Sequence, residues 1–313
     1  MQLSDRIGRR IKLHDIHVLL AAVQAGSMGK AAALLNTTQS AISRSIADLE
    51  HAVGVRLLDR SPQGIEPTHF GLALLKRGTS AFDELKQGVN DIEFLSDPKA
   101  GELRIGSGIA LAEGIVQSVI ERLSQQYPRV VFHLALGDTL KLYDELRGRR
   151  IEFGFAGTSG PILEEDMDAE VLFEEPLIVV AGIKSRWARR RKIKLAELVN
   201  EPWTWPPPGS INDSLICGAF RANGLAPPRA SVYTHATNMR LRLAATGRFL
   251  TIVPPSLLRF AKHPSIKVVP VELPKTQRQI GIITLKNRTL SPLAQRFIKC
   301  AREFAKPLAK KKT

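Results

Sequence analysis

Apolar residues recur at helical spacing through the first quarter of the chain. Leu13, Ile16, Leu19, Leu20 and Val23 form one stripe that stops at Gly26. Ser27 is a natural N-cap for a second helix, whose Ala31, Ala32, Leu34 and Leu35 are small or apolar and allow close packing. Asn36-Thr37 supply a turn and Thr38 a further N-cap. Beyond it Ile42, Ile46, Leu49 and Val53 share one helical face, and Gly54 ends the helix. At about 100° per residue, Ser40, Arg44, Ala47 and His51 point the other way, with Ser43 on the flank. Residues 55–60 then read as a strand, Ser61-Pro62-Gln63-Gly64 as a turn and Ile65-Glu66 as the return, which makes a small β-wing. Residues 71–95 read as one long helix. Leu75, Phe82, Leu85, Val89 and Ile92 lie along a seam of near-heptad spacing that suits either a second copy of the helix or the chain's own body. Ser96-Asp97-Pro98-Lys99-Ala100-Gly101 closes it as a linker.

The period then changes. Residues 102–106, 130–136 and 151–156 read as strands separated by helices at 111–126 and 139–148, a βαβαβ run that predicts a largely parallel sheet covered on both faces. A second set follows, with strands at 176–181, 231–234 and 249–253 and helices at 213–222 and 239–245. A strand at 280–285 and a helix at 292–305 close the chain.

A third helix that shows Gln39, Ser40, Ser43 and Arg44 near its N-terminus suits a DNA major groove. Short side chains allow close approach, Gln and Arg can bond base edges in pairs, and a helix N-terminus attracts phosphate. Arg60 at the base of the wing is a candidate phosphate contact or, equally, an ion-pair partner of Asp59 or Glu66. In open α/β sheets ligands bind beyond the carboxyl ends of the strands. Those places are Ser107-Gly108 and Gly137-Asp138-Thr139, so Ser107, Gly108 and Thr139 are candidate ligand contacts, with Phe155 and Ser210 from further loops facing the same cleft. Ser107 and Thr139 can also serve as helix caps, and Phe155 as core.

Composition changes the picture in two places. The net charge is +15, yet residues 1–98 carry 11 Lys+Arg against 11 Asp+Glu, so the surplus lies in the second half. It gathers in residues 184–194, in Arg147, Arg149 and Arg150, and in the tail at Lys306, Lys310, Lys311 and Lys312. These patches can add DNA contacts, steer an anionic ligand, or keep the surface solvated. Cys217 and Cys300 stand far apart without metal-ligand spacing, which argues for a reducing cytoplasm and buried, structural thiols and against a zinc site. There is no apolar run of membrane length, and the N-terminus lacks the pattern of a secretory signal. Enzyme motifs fail in turn. Gly106-Ser107-Gly108 lacks the third glycine of a dinucleotide loop, no P-loop, His-Glu-x-x-His or Gly-x-Ser-x-Gly occurs, and His69, His133, His235 and His263 are scattered.

Taken together, Gly26-Ser27, Lys30-Ala31-Ala32, Leu35, Thr38-Gln39-Ser40-Ala41-Ile42-Ser43-Arg44, Leu49-Glu50, Gly54, Leu57-Leu58-Asp59-Arg60 and Thr68-His69-Phe70-Gly71 resemble the LysR-type transcriptional regulators. Gly101-Glu102-Leu103-Arg104-Ile105-Gly106, Gln126-Tyr127-Pro128 and Glu174-Glu175-Pro176-Leu177 extend the resemblance over almost the whole chain. It implies an α/β protein in three parts: a winged helix–turn–helix at 1–70, a linker and dimerisation helix at 71–98, and a periplasmic-binding-protein-like effector domain at 99–313. That domain would have one subdomain at about 101–175 and 278–305 and another at about 176–277. It also implies a cytoplasmic regulator, not an enzyme, that binds double-stranded operator DNA and dimerises through the linker helix, assembling further to a tetramer. No metal or cofactor is expected beyond a small-molecule co-inducer, and RNA polymerase is a further candidate partner. Gln39, Ser40, Ser43 and Arg44 would read sequence, with Ser27, Thr38 and Arg60 on the DNA backbone. The effector would meet Ser107, Gly108, Thr139, Phe155 and Ser210. Four departures are specific to this chain: Ser40 stands where the family commonly has proline, residues 151–155 lack the usual aspartate, Arg248 replaces a common glycine, and Trp187 with the arginines after it replaces a more neutral loop. The alternative from another class is a solute-binding or sensing module whose helical head contacts protein.

Overall fold

The computed structural model describes residues 7–61, 64–158, 164–260 and 263–309. The turn residues Pro62 and Gln63 and the tail lysines 310–312 lie outside the described residues. The chain divides into two compact units, Met1–Val89 and Asn90–Thr313.

In the first unit α1 (Leu13–Ala25), α2 (Met28–Leu34) and α3 (Gln39–Val53) precede a hairpin of β1 (Leu58–Ser61) and β2 (Gly64–Pro67), and α4 (His69–Ser96) leads away. Val18, Leu19 and Ala22 meet Ala31 and Ala32 of α2 and Ile42, Ile46 and Leu49 of α3 in one core, closed by Leu57 and Leu58. The buried face of α1 is therefore rotated from the expected stripe, and Leu13 is exposed, as is Leu34 of α2. Ile16 and Leu20 instead turn toward α4. Gly78 of α4 is buried there, and a Cβ on it would come within 2.6 Å of Ile16 Cγ2. The N-terminal segment is pinned where it is described. Gly8 N–H donates to Ile11 O at 2.9 Å, and Ile11 is buried in the core. The wing strand begins at Leu58 rather than at 55. The Leu57 and Leu58 N–H groups donate to Glu50 Oε1 at 2.7 and 3.2 Å, which fixes the chain before the ladder starts.

The second unit holds two lobes. β3 (Ala100–Ser107), α5 (Ile109–Leu111), a π turn (Ala112–Val116), α6 (Gln117–Gln126), β4 (Arg129–Leu136), α7 (Thr139–Arg147), β5 (Phe153–Gly157) and β6 (Met167–Glu175) build the first. β7 (Ile178–Gly182), β8 (Trp203–Trp205), α8 (Ile211–Ala222), β9 (Val232–Tyr233), α9 (Thr237–Ala245), β10 (Leu250–Val253), α10 (Pro255–Phe260) and β11 (Ile266–Val268) build the second. The chain then returns to the first lobe through β12 (Arg278–Leu285) and α11 (Pro292–Ala309). The first sheet runs β4-β3-β5-β12-β6 and the second β11-β7-β10-β8-β9. The β4-β3-β5 part is parallel as expected, but β12 pairs antiparallel with both β5 and β6. The sheet is mixed because the chain leaves for the second lobe and comes back in the opposite direction. β6 escapes a reading by apolar runs because its sequence, MDAEVLFEE, is that of an exposed edge. β8, only three residues long, offers too short a pattern.

Phe153, Phe155 and Phe297 fill the first lobe's core, and Trp203, Trp205 and Phe220 the second's. Among the described residues no helix is long and apolar enough to cross a membrane. The close approach of α1 to α4 yields a test: Gly78→Leu should cost about 1–3 kcal/mol by overpacking, with faster hydrogen exchange in α1. An unchanged denaturation midpoint would contradict that approach.

Candidate DNA interface and effector cleft

The exposed side of α3 carries the residues expected to read DNA. Thr38 caps it, its Oγ1 accepting from Ala41 N–H at 3.3 Å, and it shares a 3.0 Å hydroxyl bond with Ser40. The serine in the proline position thus finds a partner within the cap itself. Gln39, Ser40 and Arg44 are exposed, and Ser43 is half-buried on the flank. Ser27 caps α2, accepting from Lys30 N–H at 3.2 Å. Arg60 is exposed opposite Ile65 of β2, and among the described residues no ion pair joins it to Asp59 or Glu66. Two polar tethers hold this surface. The Ser45 hydroxyl donates to buried Asp15 of α1 at 2.6 Å, and Glu50 holds the wing as above. α4 divides its apolar residues. Leu75 joins the core of the first unit and Phe82 stacks on His17 at 5.4 Å, whereas Leu85, Val89, Ile92 and Leu95 are exposed.

In the second unit the carboxyl ends of β3, β4 and β5 and those of β8, β9 and β10 define the two cleft edges, with the crossover between lobes running from β6 to β7. Ser107 is fully buried and donates to Gly108 O at 3.0 Å, and Gly108 N–H donates to Phe155 O at 3.0 Å. Thr139 is buried, 3.5 Å from Gly157 O. Neither hydroxyl caps a helix. Asp138 caps α7 by accepting from Lys141 N–H at 2.9 Å, and Gly108 precedes α5 with no side-chain cap. The Phe155 ring belongs to the core with Phe153 and Phe297, so its side chain is structural and only its carbonyl meets the Ser107-Gly108 turn. Ser210 caps α8, and Asp213 accepts from Trp205 Nε1 and Gly209 N–H at 2.9 and 2.8 Å, which pins the loop after β8.

Residue-by-residue reading missed the groups at the crossover. Glu175, at the end of β6, is buried and accepts from Ser256 N–H and Oγ, both at 3.0 Å, and from Arg278 Nη2 at 2.9 Å. Arg278 also donates to Asn212 of α8 at 3.3 Å. Arg240 of α9 is buried, donating to Ile252 O at 3.1 Å and to Thr237 Oγ1 at 3.4 Å. Burial lowers its guanidinium to about 10, still charged at neutral pH, and opposes ionisation of Glu113, whose carboxyl is held by Asn238. A charged residue on the buried face of α9, level with Thr237, Leu241 and Ala244, was the available signal.

Four arginines of the basic clusters are engaged with the chain's own acids. Arg147 bonds Glu164 and Asp166, Arg150 bonds Glu145, Arg186 bonds Glu201, and Arg190 bonds Glu197. Arg186 and Arg190 also flank the Trp187 ring, at 4.8 and 5.5 Å. Cys300 is buried and Cys217 half-buried, in different lobes. Burial pushes both thiols up, which leaves them protonated and poorly nucleophilic at neutral pH.

A winged helix–turn–helix and a two-lobed α/β domain with a central cleft define a class: DNA-binding regulators that carry a ligand-sensing domain. Residues 96–306 match the LysR substrate binding domain, and residues 13–72 match the bacterial regulatory helix-turn-helix protein of the lysR family. The chain belongs to the LysR family: it is a DNA-binding transcriptional regulator with an effector-binding C-terminal domain, not an enzyme. It is 28% identical over 265 residues to the transcriptional dual regulator GltC of Bacillus subtilis, covering 85% of this chain and 88% of that one. It is 29% identical to the transcriptional activator CmpR of Synechocystis, covering 91% and 93%. Among solved structures it shares its fold with CbnR in complex with target DNA (23% identity, TM-score 0.53, 94% of this chain and 99% of that one). It shares it also with a full-length OxyR variant from Pseudomonas aeruginosa (18% identity, TM-score 0.65, 95% of each).

The crossover carries its own test. Glu175→Ala strands the Arg278 guanidinium and should cost about 3–5 kcal/mol. Tryptophan fluorescence during urea unfolding reads this directly, since all three tryptophans lie in the second lobe. A loss below about 1 kcal/mol, the value of a surface pair, would mean that the pair carries little of the lobe's stability.

Proposed function

We propose that this regulator binds its operator as a dimer, with Gln39, Ser40, Ser43 and Arg44 of each copy at base edges and Ser27, Thr38 and Arg60 at phosphates. The observation that carries this reading is the exposed, short-side-chained N-terminal end of α3, braced from behind by Asp15–Ser45 and Glu50. Leu85, Val89 and Ile92, spaced by four and three residues, leave an apolar edge on α4 that a second copy would cover. A dimer presents two reading helices to two half-sites. Pairing of dimers into a tetramer and contact with RNA polymerase extend the same reading, as does a cytoplasmic location, where DNA and small-molecule signals meet.

The effector site in this reading is the cleft, with Ser107, Gly108 and Thr139 on one edge and the Ser210 loop on the other. Phe155 takes part through its backbone. A ligand that bonds both lobes favours a closed arrangement, and the difference in binding energy between open and closed forms is what it can deliver to the DNA-binding units.

Arg44→Ala should lower discrimination at one base pair of each half-site by about 1–3 kcal/mol, as read by binding-site selection. Wild-type affinity for duplex DNA should fall steeply with salt, with a log–log slope that counts the phosphates contacted. Unchanged base preference in the variant would remove Arg44 from readout, and salt-insensitive binding would remove the proposed phosphate contacts.

A further inference from the structure

Residues 184–194 hold seven Lys and Arg, and no Asp or Glu occurs from 176 to 196. The structure sorts these cations into two groups. Arg186 and Arg190 act as fasteners: they flank the ring of buried Trp187 and pair with Glu201 and Glu197. Glu197 also accepts from Lys194 N–H at 2.9 Å, so both of these carboxylates are spent holding the segment. Trp187, Ile193 and Leu195 sink into the core of the second lobe, and Ser185 caps the short turn Arg186–Arg189 by accepting from Trp187 N–H at 3.3 Å. The segment is thereby fixed along its length, although it holds only short helical turns.

Lys184, Arg189, Arg191 and Lys192 remain. All four are exposed, and among the described residues no carboxylate pairs with them. A fifth cation joins them from elsewhere in the lobe. The turn after α9 lies so close to this loop that a Cβ on Gly247 would stand 3.2 Å from Lys184 Cβ and from Ser185 N. Arg248 follows, exposed, with its N–H donating to the Thr246 hydroxyl at 3.3 Å and no carboxylate partner among the described residues. Two segments in which this chain departs from its family, the arginine-rich loop and Arg248, thus meet on one face of the second lobe.

Unpaired like charges on a fixed surface repel one another and raise the local potential, which a polyanion relieves. A small anion is a poor match, because it needs a concave site that removes it from water, and these side chains are all exposed. Duplex DNA carries one charge per about 1.7 Å of axis and suits a spread of exposed cations. It is also the partner of this class of regulator. The unit that reads it is neutral, with 11 basic and 11 acidic residues in 1–98, so the surplus of +15 that attracts phosphate at long range lies in residues 99–313.

We propose that this face of the second lobe is a second DNA contact, in which Lys184, Arg189, Arg191, Lys192 and Arg248 meet phosphates of the duplex outside the bases read by α3. The arginines offer phosphate a planar fork of donors, and the lysines offer a point charge. The contact adds affinity without base preference, because phosphates carry no sequence information of their own. It goes beyond the reading of α3 and the wing and uses the same duplex.

The test is a salt titration of the full-length chain on a fluorescein-labelled duplex of mixed sequence, read by anisotropy. Arg189→Gln/Arg191→Gln/Lys192→Gln is compared with Lys141→Gln/Lys299→Gln/Lys306→Gln, which removes the same charge from exposed positions of the first lobe. Each phosphate contact contributes about 0.9 to the log–log slope, so the patch variant should lower it by about two to three and the control by less than about 0.5. Base preference in binding-site selection should stay that of the wild type, since α3 is untouched. Arg189→Lys/Arg191→Lys keeps the charge and should keep the slope, which separates a lost phosphate contact from a disturbed fold. The proposal is overturned if the patch variant lowers the slope no more than the control does, or if the lysine variant loses as much as the glutamine one. A steep slope that falls in Arg60→Ala but not in the patch variant keeps the wing reading, removes DNA from this face and leaves the face to an acidic protein. A slope that falls in the patch variant but not in Arg60→Ala keeps this face and removes Arg60 from the DNA backbone.

Discussion

The effector domain depends on a carboxylate that cannot be left alone. Glu175 ends the last strand of the first lobe before the chain crosses over, and it is buried with two oxygens to satisfy. It accepts from Ser256 N–H and Oγ at the head of α10, and from Arg278 at the start of the returning strand. A buried charge without partners costs several kcal/mol, so these three segments are held in one arrangement. Arg278 extends the network to Asn212 on the helix behind the Ser210 loop. Both routes between the lobes therefore converge on one ionic knot, and the carboxyl ends of the two sheets are brought to face each other. The cleft is a consequence of that convergence more than of any residue lining it.

The DNA-binding unit solves a similar problem by similar means. A short hairpin has little core of its own and needs an external hold. Glu50, near the end of the reading helix, accepts from two consecutive backbone N–H groups just before β1, so helix and wing move as one piece. Asp15 does the same for α1 and α3 through Ser45. On the other side, Gly71 and Gly78 let α4 come close to the Leu57 carbonyl and to Ile16, where any side chain would intrude. A helix that reads DNA must leave its outer face unpacked. The stiffness it needs comes from these buried polar bonds and backbone contacts on the inner side.

Much of this was legible in the sequence. The stripe Ile42, Ile46, Leu49 and the caps Ser27 and Thr38 stand where the pattern put them, because a helix period and a cap are local properties. What failed was nonlocal. The offset of the α1 stripe follows from packing on two partners at once, α3 and α4. The antiparallel return of β12 follows from a chain that leaves its lobe and comes back. Ser107 and Thr139 were read as possible caps because a hydroxyl before a helix commonly is one, yet Asp138 takes that role for α7. Phe155 reads either as a cleft contact or as core from its place at a strand end, and its ring lies in the core. Glu113, Glu175, Arg240 and Arg278 carry no local pattern that distinguishes them from surface charges, and only burial does so.

Charge shows the same limit from the other side. A surplus of +15 concentrated in the second half suggests an anion-binding surface, yet several of its arginines are engaged with carboxylates of their own lobe. Arg147 alone meets Glu164 and Asp166. Exposed pairs of that kind contribute little to stability and are screened by salt, so they neither hold the fold nor offer a free charge to a ligand. Desolvation singles out a cation of another kind: Arg240 is one of forty-five basic residues, but it is buried, and it donates to Ile252 O and Thr237 Oγ1 instead of to a surface carboxylate. A net charge counts all of these alike: ions paired at the surface, ions buried in the fold, and the exposed cations left over for a partner.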